Sequence, residues 1–439
     1  MVIIMQMERY NPWWRGEEDH TYRRWEESPV RWTPKETRSL SLKPFSLNFL
    51  YGPRQVGKTT LVKLLIHHLL KEGRMKGSPY SVFYFSCDEL TDHKELGEVL
   101  DSYMSAREAR RSAATSFLFL DEVTFVRDWW RAIKSRIDSG LLMHDVVTVT
   151  ASASLKLLRQ AENFPGRRGG GSDVILRPLG FRSYCKALSG PETVAIHDLS
   201  RSADVMRANE IHSESLGSLF RKYLETGGFP LPIMKMVESS RADMHDASGD
   251  PEKALLDGLR GDWLRAGRSE KFMKEVIGYV ISARGTPLSW LSVSKATSIG
   301  SPHTSRTYVE TLEDLLLATE LELIRPDGRV EHRKNRKIHL TDPFVYKTLA
   351  DYCGVPGDEA ALVEATVASH LERRGEPVYF WRNGSEVDIV ALEGGGSRRQ
   401  CGIEVKWGFK KGARPKHLKD YFSLDRKTVP IFLASLPFA

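Results

Sequence analysis

Eight consecutive residues, Gly52, Pro53, Arg54, Gln55, Val56, Gly57, Lys58 and Thr59, fit the pattern G-x-x-x-x-G-K-(S/T) and confine the first part of the chain to one kind of fold. Such a loop needs a buried strand before it and a helix after it. Residues 46–51 (SLNFLY) read as that strand, and 60–70 (TLVKLLIHHLL) as an almost wholly apolar helix. Glycines at 52 and 57 permit backbone angles and close approach that a side chain would block, so successive N–H groups can turn toward phosphate oxygens. The loop then enters a helix N-terminus, whose free N–H groups and partial positive charge favour the same anion. In this arrangement Lys58 reaches the β- and γ-phosphates of ATP and the Thr59 hydroxyl ligates Mg²⁺, with Thr60 completing the nucleotide-binding set.

A second segment supplies the partner chemistry. Phe117, Leu118, Phe119 and Leu120 form a continuous apolar run typical of a buried parallel strand, which ends in Asp121 and Glu122. Ligands of open α/β sheets bind at the C-terminal edge of the strands, so Asp121 is expected to hold the Mg²⁺ and its water shell, and Glu122 to orient and deprotonate the attacking water. A third strand, 145–150, leads into Ala151 and Ser152; Thr150 and Ser152 are the candidates to contact the γ-phosphate or the lytic water, with Ser152 preferred. Gly166, Arg167, Arg168, Gly169, Gly170 and Gly171 combine flexible backbone with two permanent charges. Arg167 there reads equally as an arginine finger and as part of a mobile basic loop, and spacing does not say whether it would serve its own site or a neighbour's. The expected catalytic set is Lys58, Glu122, Ser152 and Arg167.

The 439 residues suffice for three or four packed modules. Lys and Arg total 64 against 57 Asp and Glu, a net charge of +7 that permits a nucleic-acid partner without demanding one. Cys87, Cys185, Cys353 and Cys401 are scattered without a C-x-x-C pair, which argues against a zinc site or a disulfide framework and fits the reducing cytoplasm. No run approaches the roughly 20 apolar residues of a membrane span, and MVIIMQM is too short and lacks a preceding basic region for a secretory signal.

The modules expected are a Trp-rich extension over 1–42, a core over 43–188, a helical lid or bridge over 189–267, a winged helix-turn-helix over 268–350 and an α/β tail over 351–439. Trp13, Trp14, Trp25 and Trp32 suit docking against the core better than stacking on bases. In the fourth module three helical segments precede a hairpin that runs through 321–324, turns at Pro326, Asp327 and Gly328, and returns through 337–340. This wing carries Arg325, Arg329, Arg333, Lys334, Arg336 and Lys337, and the last five are the candidate DNA-binding residues. Glu310, Glu313 and Asp314 on the third helix would repel a phosphate backbone, so the wing is the better-supported contact.

The tail reads in the order α-β-β-β-α-β, with a helix near 415–423 and a last strand over 429–433. Asp388 and Glu404 fall on adjacent strands and can jointly hold a second divalent cation, Mg²⁺ or Mn²⁺, with Lys406 on the same face to stabilise an attacking water or a pentavalent phosphate. Glu364 lies on the preceding helix. The alternative is an inert fold in which Lys406 forms a salt bridge with Glu404 or Asp388.

Taken together these stretches resemble the archaeal ATPase group of the AAA-like P-loop ATPases. Its members pair an N-terminal ATPase with a C-terminal DUF4143-type region containing a winged helix and a nuclease-like fold. The resemblance rests on NPWW, YGPRQVGKTTL, YFSCDEL, LFLDEV with Asp128 and Trp129, the Gly166-Arg167 loop with Arg177, Pro178 and Leu179, TGGFP from Thr226 to Pro230 and HLTDP from His339 to Pro343. Two positions depart from the group: Ala151 stands where a glycine is usual, and Arg182 where a glutamate often follows the P-L-x-F segment. Glu364, Asp388, Glu404 and Lys406 match the PD-(D/E)xK nuclease pattern, a fold also reused without catalysis. The resemblance implies an α/β protein with a P-loop parallel-sheet ATPase core, a helical lid, a winged helix and a C-terminal restriction-endonuclease-like domain. Two functions follow as expectations. One is a Mg²⁺-dependent ATPase that acts on DNA, with or without a metal-dependent nuclease tail. The other is a nucleotide-switched regulatory ATPase whose tail is a non-catalytic interaction module. ATP and DNA are the expected partners, no membrane is, and self-association stays open.

Overall fold

Apolar runs without alternation dictate the first half of the fold, because strands covered on both faces have no solvent side to keep polar. The computed structural model describes residues 7–71, 78–110, 115–152, 164–239, 249–383, 385–394, 399–408 and 418–437. The chain divides into two units, Met1–Arg177 and Pro178–Ala439.

In the first unit helix α1 (His20–Glu27) precedes β1 (Ser46–Tyr51), α2 (Lys58–Lys71), β2 (Val82–Ser86), α3 (His93–Ala109), β3 (Phe117–Asp121), α4 (Trp129–Asp138), β4 (Val146–Ala151) and β5 (Asp173–Ile175). The strands form one sheet in the order β2-β3-β4-β1-β5, and every pairing is parallel. All residues of β1, β3 and β4 are buried. Since the strands run the same way, the loop after β1 and the ends of β3 and β4 share one edge, the place where such sheets bind ligands.

The extension packs onto the outer strand of this sheet, as its tryptophans suggest. Trp13 and Trp14 are buried, and both indole N–H groups donate to the Val82 carbonyl at 3.0 Å. The Asn11 side chain donates to the Tyr84 carbonyl (2.8 Å) and accepts from the Tyr84 N–H (2.7 Å). A side chain thus satisfies the backbone groups that a sheet edge otherwise leaves unpaired.

In the second unit helices α5 (Phe181–Ala187), α6 (Ser202–Ala208), α7 (Ser213–Thr226), α8 (Pro230–Ser239) and α9 (Pro251–Arg265) come first. Helices α10 (Glu270–Ser282), α11 (Trp290–Ala296) and α12 (Pro302–Asp314) then lead into a hairpin of β6 (Ala318–Leu323) and β7 (Lys337–Leu340). Ser289 and Ser301 accept backbone N–H groups as N-caps of α11 and α12. Helices α13 (Pro343–Cys353) and α14 (Glu359–Glu372), strands β8 (Val378–Asn383), β9 (Ser385–Glu393), β10 (Arg399–Lys406) and β11 (Asp420–Asp425), and helix α15 (Thr428–Ser435) complete the unit.

Two expectations change here. The hairpin is part of the C-terminal sheet, because β6 pairs in parallel with β8 and the strand order is β11-β10-β9-β8-β6-β7. The last two elements of the tail are exchanged: 420–425 is a strand parallel to β10, and 429–433, expected as a strand, lies inside α15. A five-residue apolar run does not distinguish a strand from a buried helix. Here Asp425 decides, its Oδ1 accepting from the N–H groups of Lys427 (3.0 Å) and Thr428 (2.8 Å), and Pro430 falls in the first turn, where a missing N–H costs nothing. Residues 415–417 of the expected helix lie outside the described residues.

Candidate active site

The loop after β1 has the geometry its glycines imply. Gly57 has φ +100°, and a Cβ on Gly52 would stand 2.2 Å from the Leu176 carbonyl oxygen, so neither position admits another side chain without rearrangement. Gln55 adopts a left-handed φ of 61°, and Lys58, Thr59 and Thr60 open α2. The Lys58 side chain is buried and folds back over the loop. Its ammonium donates to the carbonyls of Gly52 (3.2 Å) and Pro53 (3.1 Å) and to Ser152 Oγ (2.9 Å), and lies 3.7 Å from Glu122 Oε1.

The other members converge from β3 and β4. Thr59 Oγ1 donates to Asp121 Oδ2 at 2.6 Å, and Ser152 Oγ donates to Glu122 Oε1 at 2.6 Å. Glu122 itself holds a left-handed φ of 54°, a conformation that costs a non-glycine residue about 1–3 kcal/mol. Its N–H donates to Thr150 Oγ1 at 2.9 Å, which fixes that turn and swings the carboxylate toward Lys58. Glu122 Oε2 is buried and has no hydrogen-bond partner among the described residues. Lys58, Thr59, Asp121, Glu122 and Ser152, expected from sequence, are therefore assembled at one edge. The hydroxyl of Thr59 and the carboxylate of Asp121 are both oxygen donors of the kind Mg²⁺ takes, close enough to share one ion.

Tyr84 is a member that the sequence did not reveal. Its hydroxyl donates to the same Asp121 Oδ2 at 2.8 Å, and Thr150 Oγ1 donates to Asp121 Oδ1, so three hydroxyls orient this carboxylate. Burial, then Asp121, pushes the Tyr84 hydroxyl well above its ordinary pKa, which keeps it a donor. The available signal was a lone hydroxyl inside the apolar strand VFYFS. Lys63, one turn along α2 from the loop lysine, is likewise buried. Its Nζ pairs with Asp19 of the extension at 2.9 Å and lies 3.4 Å from the Tyr84 ring centre.

Arg167 is placed elsewhere. Gly169 bridges Ser46, and Leu47 N–H donates to the Arg168 carbonyl at 3.0 Å, so this loop flanks the start of β1 while the nucleotide loop follows its end. Five residue steps of strand, about 16 Å, separate the two edges. The Arg167 guanidinium pairs with Asp138 at 2.5 Å and Arg168 with Asp173 at 2.8 Å. Arg167 therefore belongs to a loop at the opposite end of β1 from the nucleotide loop of its own chain.

The candidate DNA-binding residues separate into two groups. Arg329, Arg333 and Lys334 are exposed on the hairpin loop, with Arg329 3.6 Å from Asp327. Arg336 and Lys337 are not available to a phosphate. Arg336 is buried, bonded to Glu320 and 3.3 Å from Glu322, and its guanidinium lies 5.5 Å from the Trp290 ring centre. Lys337 is 1% exposed and its Nζ stands 2.7 Å from Glu386, 2.8 Å from Glu364 and 3.3 Å from Asp388.

Two of the expected tail residues, Glu364 and Asp388, meet around that lysine. Asp388 Oδ2 accepts the Val405 N–H at 2.8 Å. Asp388 and Glu404 fall one step beyond the last antiparallel pair, Ile389 with Ile403, so they face each other on β9 and β10. Burial, then Asp388, raises Glu404 to about 7. Burial also works to raise Glu364, with the help of Asp388, while Lys337 pulls the other way and favours the carboxylate. Burial works against the Lys337 ammonium, but Glu364, Asp388 and Glu386 together outweigh it and hold the charge above the ordinary lysine pKa. No cluster of three or more His, Cys, Asp or Glu side chains among the described residues is arranged to hold a metal ion. Lys337 stands where a cation shared by Glu364, Glu386 and Asp388 would lie.

The first unit thus has a P-loop, parallel-sheet core with the loop and its carboxylates at one edge. Residues 45–185 match the family described as an AAA domain, and residues 359–432 match a domain of unknown function, DUF4143. No curated protein matches the chain. Among solved structures it is similar to the Aeropyrum pernix ORC2 protein in its ADPNP–ADP complexes, at 11% identity over 77% of this chain and 98% of that one, with a TM-score of 0.42. It is also similar to the Aeropyrum pernix ORC1 protein in complex with DNA, at 13% identity over 70% and 86% with a TM-score of 0.32. A third is a Thermotoga maritima RuvB variant, at 17% identity over 67% and 86% with a TM-score of 0.27. Likeness at that level carries no functional argument. No helix among the described residues is long and apolar enough to cross a membrane.

Proposed function

We propose that the protein is a Mg²⁺-dependent ATPase that acts on DNA. The observation that carries the hydrolytic part is the joint placement of Lys58, Thr59, Asp121, Glu122 and Ser152 at one sheet edge, with one Glu122 oxygen buried and unbonded. In this reading the loop N–H groups and Lys58 bind the β- and γ-phosphates, and Lys58 exchanges its carbonyl partners for phosphate oxygens. Thr59 and Asp121 would hold the Mg²⁺, which neutralises phosphate charge when bound. Glu122 takes the proton of the attacking water, and Ser152, already bonded to Glu122, orients that carboxylate or the water itself. Tyr84 and Thr150 keep Asp121 aimed.

The DNA part rests on the three helices α10 to α12 followed by a hairpin, an order of elements that suits a winged helix-turn-helix, and on the exposed Arg329, Arg333 and Lys334. The observed burial of Arg336 and Lys337 narrows the contact to the hairpin loop. Nuclease chemistry is not proposed for the tail, because Lys337 stands among its carboxylates. That same feature favours one element of the regulatory reading, a tail that serves as a non-catalytic module.

Phosphate release from ATP, measured with and without branched, single-stranded and duplex DNA and controlled by Lys58→Ala, tests the proposal. DNA stimulation that fades steeply with salt is the expected result. Turnover indifferent to every DNA form would leave an ATPase but remove DNA as its target.

A further inference from the structure

We infer that the carboxylate cluster of the C-terminal sheet takes its cation from the chain itself: the Lys337 ammonium fills the position among Glu364, Glu386 and Asp388, making the cluster a latch and not a metal centre. The three oxygens surround Nζ at 2.8, 2.7 and 3.3 Å. Mg²⁺ binds oxygen at about 2.0–2.1 Å and needs near-octahedral ligands. An ion shared by these oxygens would coincide with the ammonium, and two cations cannot occupy one buried position without large repulsion. The remaining Asp388 oxygen is already engaged by the Val405 N–H at 2.8 Å.

Lys337 has no alternative place to put its charge. It sits on β7, whose four residues are all buried, and its Nζ lies 5.9 Å from the Phe380 ring centre on β8. Withdrawal to solvent would require β7 to part from its neighbours. His339, two residues on, adds no second charge: its ring is buried, 3.6 Å from Glu364, and burial followed by Lys337 lowers it to about 3. One side chain therefore fastens three elements, β7, α14 and β9, and anchors the hairpin whose loop presents Arg329, Arg333 and Lys334. The latch is independent of what the nucleotide site does.

Mn²⁺ binding to the nucleotide-free, full-length protein, followed by the electron paramagnetic resonance signal of free Mn²⁺, tests this. Wild type and Asp388→Asn are expected to bind Mn²⁺ identically, since the cluster offers no metal site. Lys337→Met is expected to gain one Mn²⁺ equivalent, which the added Asp388→Asn substitution removes, and to recover part of its lost thermal midpoint on adding Mn²⁺. Wild type binding an equivalent that Asp388→Asn abolishes would overturn the inference, and this comparison stands even if Lys337→Met does not fold. A folded Lys337→Met that binds no more Mn²⁺ than wild type would equally overturn it.

Discussion

Two buried lysines, Lys58 at the nucleotide loop and Lys337 in the C-terminal sheet, meet carboxylates in different ways. Lys58 rests on two carbonyls and a hydroxyl, with its nearest carboxylate oxygen at 3.7 Å. Those neutral partners can be exchanged for an anion without stranding a charge. Lys337 is ringed by three carboxylates at 2.7 to 3.3 Å, so its own charge is already met within the chain. An acidic oxygen is buried without a hydrogen-bond partner among the described residues at each place, Glu122 Oε2 at the nucleotide loop and Glu404 Oε2 opposite Asp388, so the contrast lies in the partners of the two lysines. The lesson is that an acid-rich sheet edge bearing a lysine is a site when the lysine's partners are replaceable, and structure when they are not.

Substitutions that convert one situation into the other should break this contrast. The largest effect is expected for Glu122→Gln, which keeps the hydrogen-bonding shape but removes the base: kcat for ATP falls by about 10² to 10⁴, with nucleotide affinity retained, measured by turnover and by fluorescent-nucleotide binding. Lys337→Met comes next. It leaves the partly buried Glu364, Glu386 and Asp388 without their cation and lowers stability by about 3–5 kcal/mol in denaturant titration, with no proportionate loss of nucleotide affinity.

Proton uptake sharpens the comparison further. Glu404 is raised from 4.5 to about 7, chiefly by burial, so the folded chain holds a proton that the unfolded chain has released. Its contribution to stability is present below about pH 4.5 and is lost as pH rises through about 7. Thermal midpoints of wild type should fall across that window, and Glu404→Gln should flatten the decline. The smallest effects concern the hairpin. Arg329→Ala, Arg333→Ala and Lys334→Ala should each lower the salt slope of DNA binding by about 0.9, whereas Arg336→Ala should lower stability and leave the slope unchanged.

The nucleotide site was largely legible because its chemistry is local. A strand, eight loop residues and a helix are contiguous, and an apolar run ending in Asp121 and Glu122 announces its own position at a strand end. Tyr84 was hidden because nothing in VFYFS says which carboxylate its hydroxyl meets. Lys337 was misread because its partners Glu364 and Asp388 lie 27 and 51 residues away, joined only when the hairpin merges with the C-terminal sheet. Beside five other basic residues it looked like part of a charged surface. Arg167 shows the same limit in another form: a glycine-rich loop reveals its charge and pliancy, but only sheet topology reveals that it flanks the start of β1. In the tail, Val429 to Leu433 carries no periodicity, and Asp425 turned that run into a helix.

The account is tested most directly by one reaction containing Mg²⁺, ATP and duplex DNA, in which phosphate release and DNA cleavage are followed together for wild type, Lys58→Ala and Lys406→Ala. Phosphate release by wild type, its loss in Lys58→Ala, its persistence in Lys406→Ala and intact DNA throughout are the predicted results. Undiminished phosphate release by Lys58→Ala, or DNA cleavage that Lys406→Ala abolishes, would contradict the assignment of catalysis to the nucleotide loop and of a latch to the C-terminal cluster.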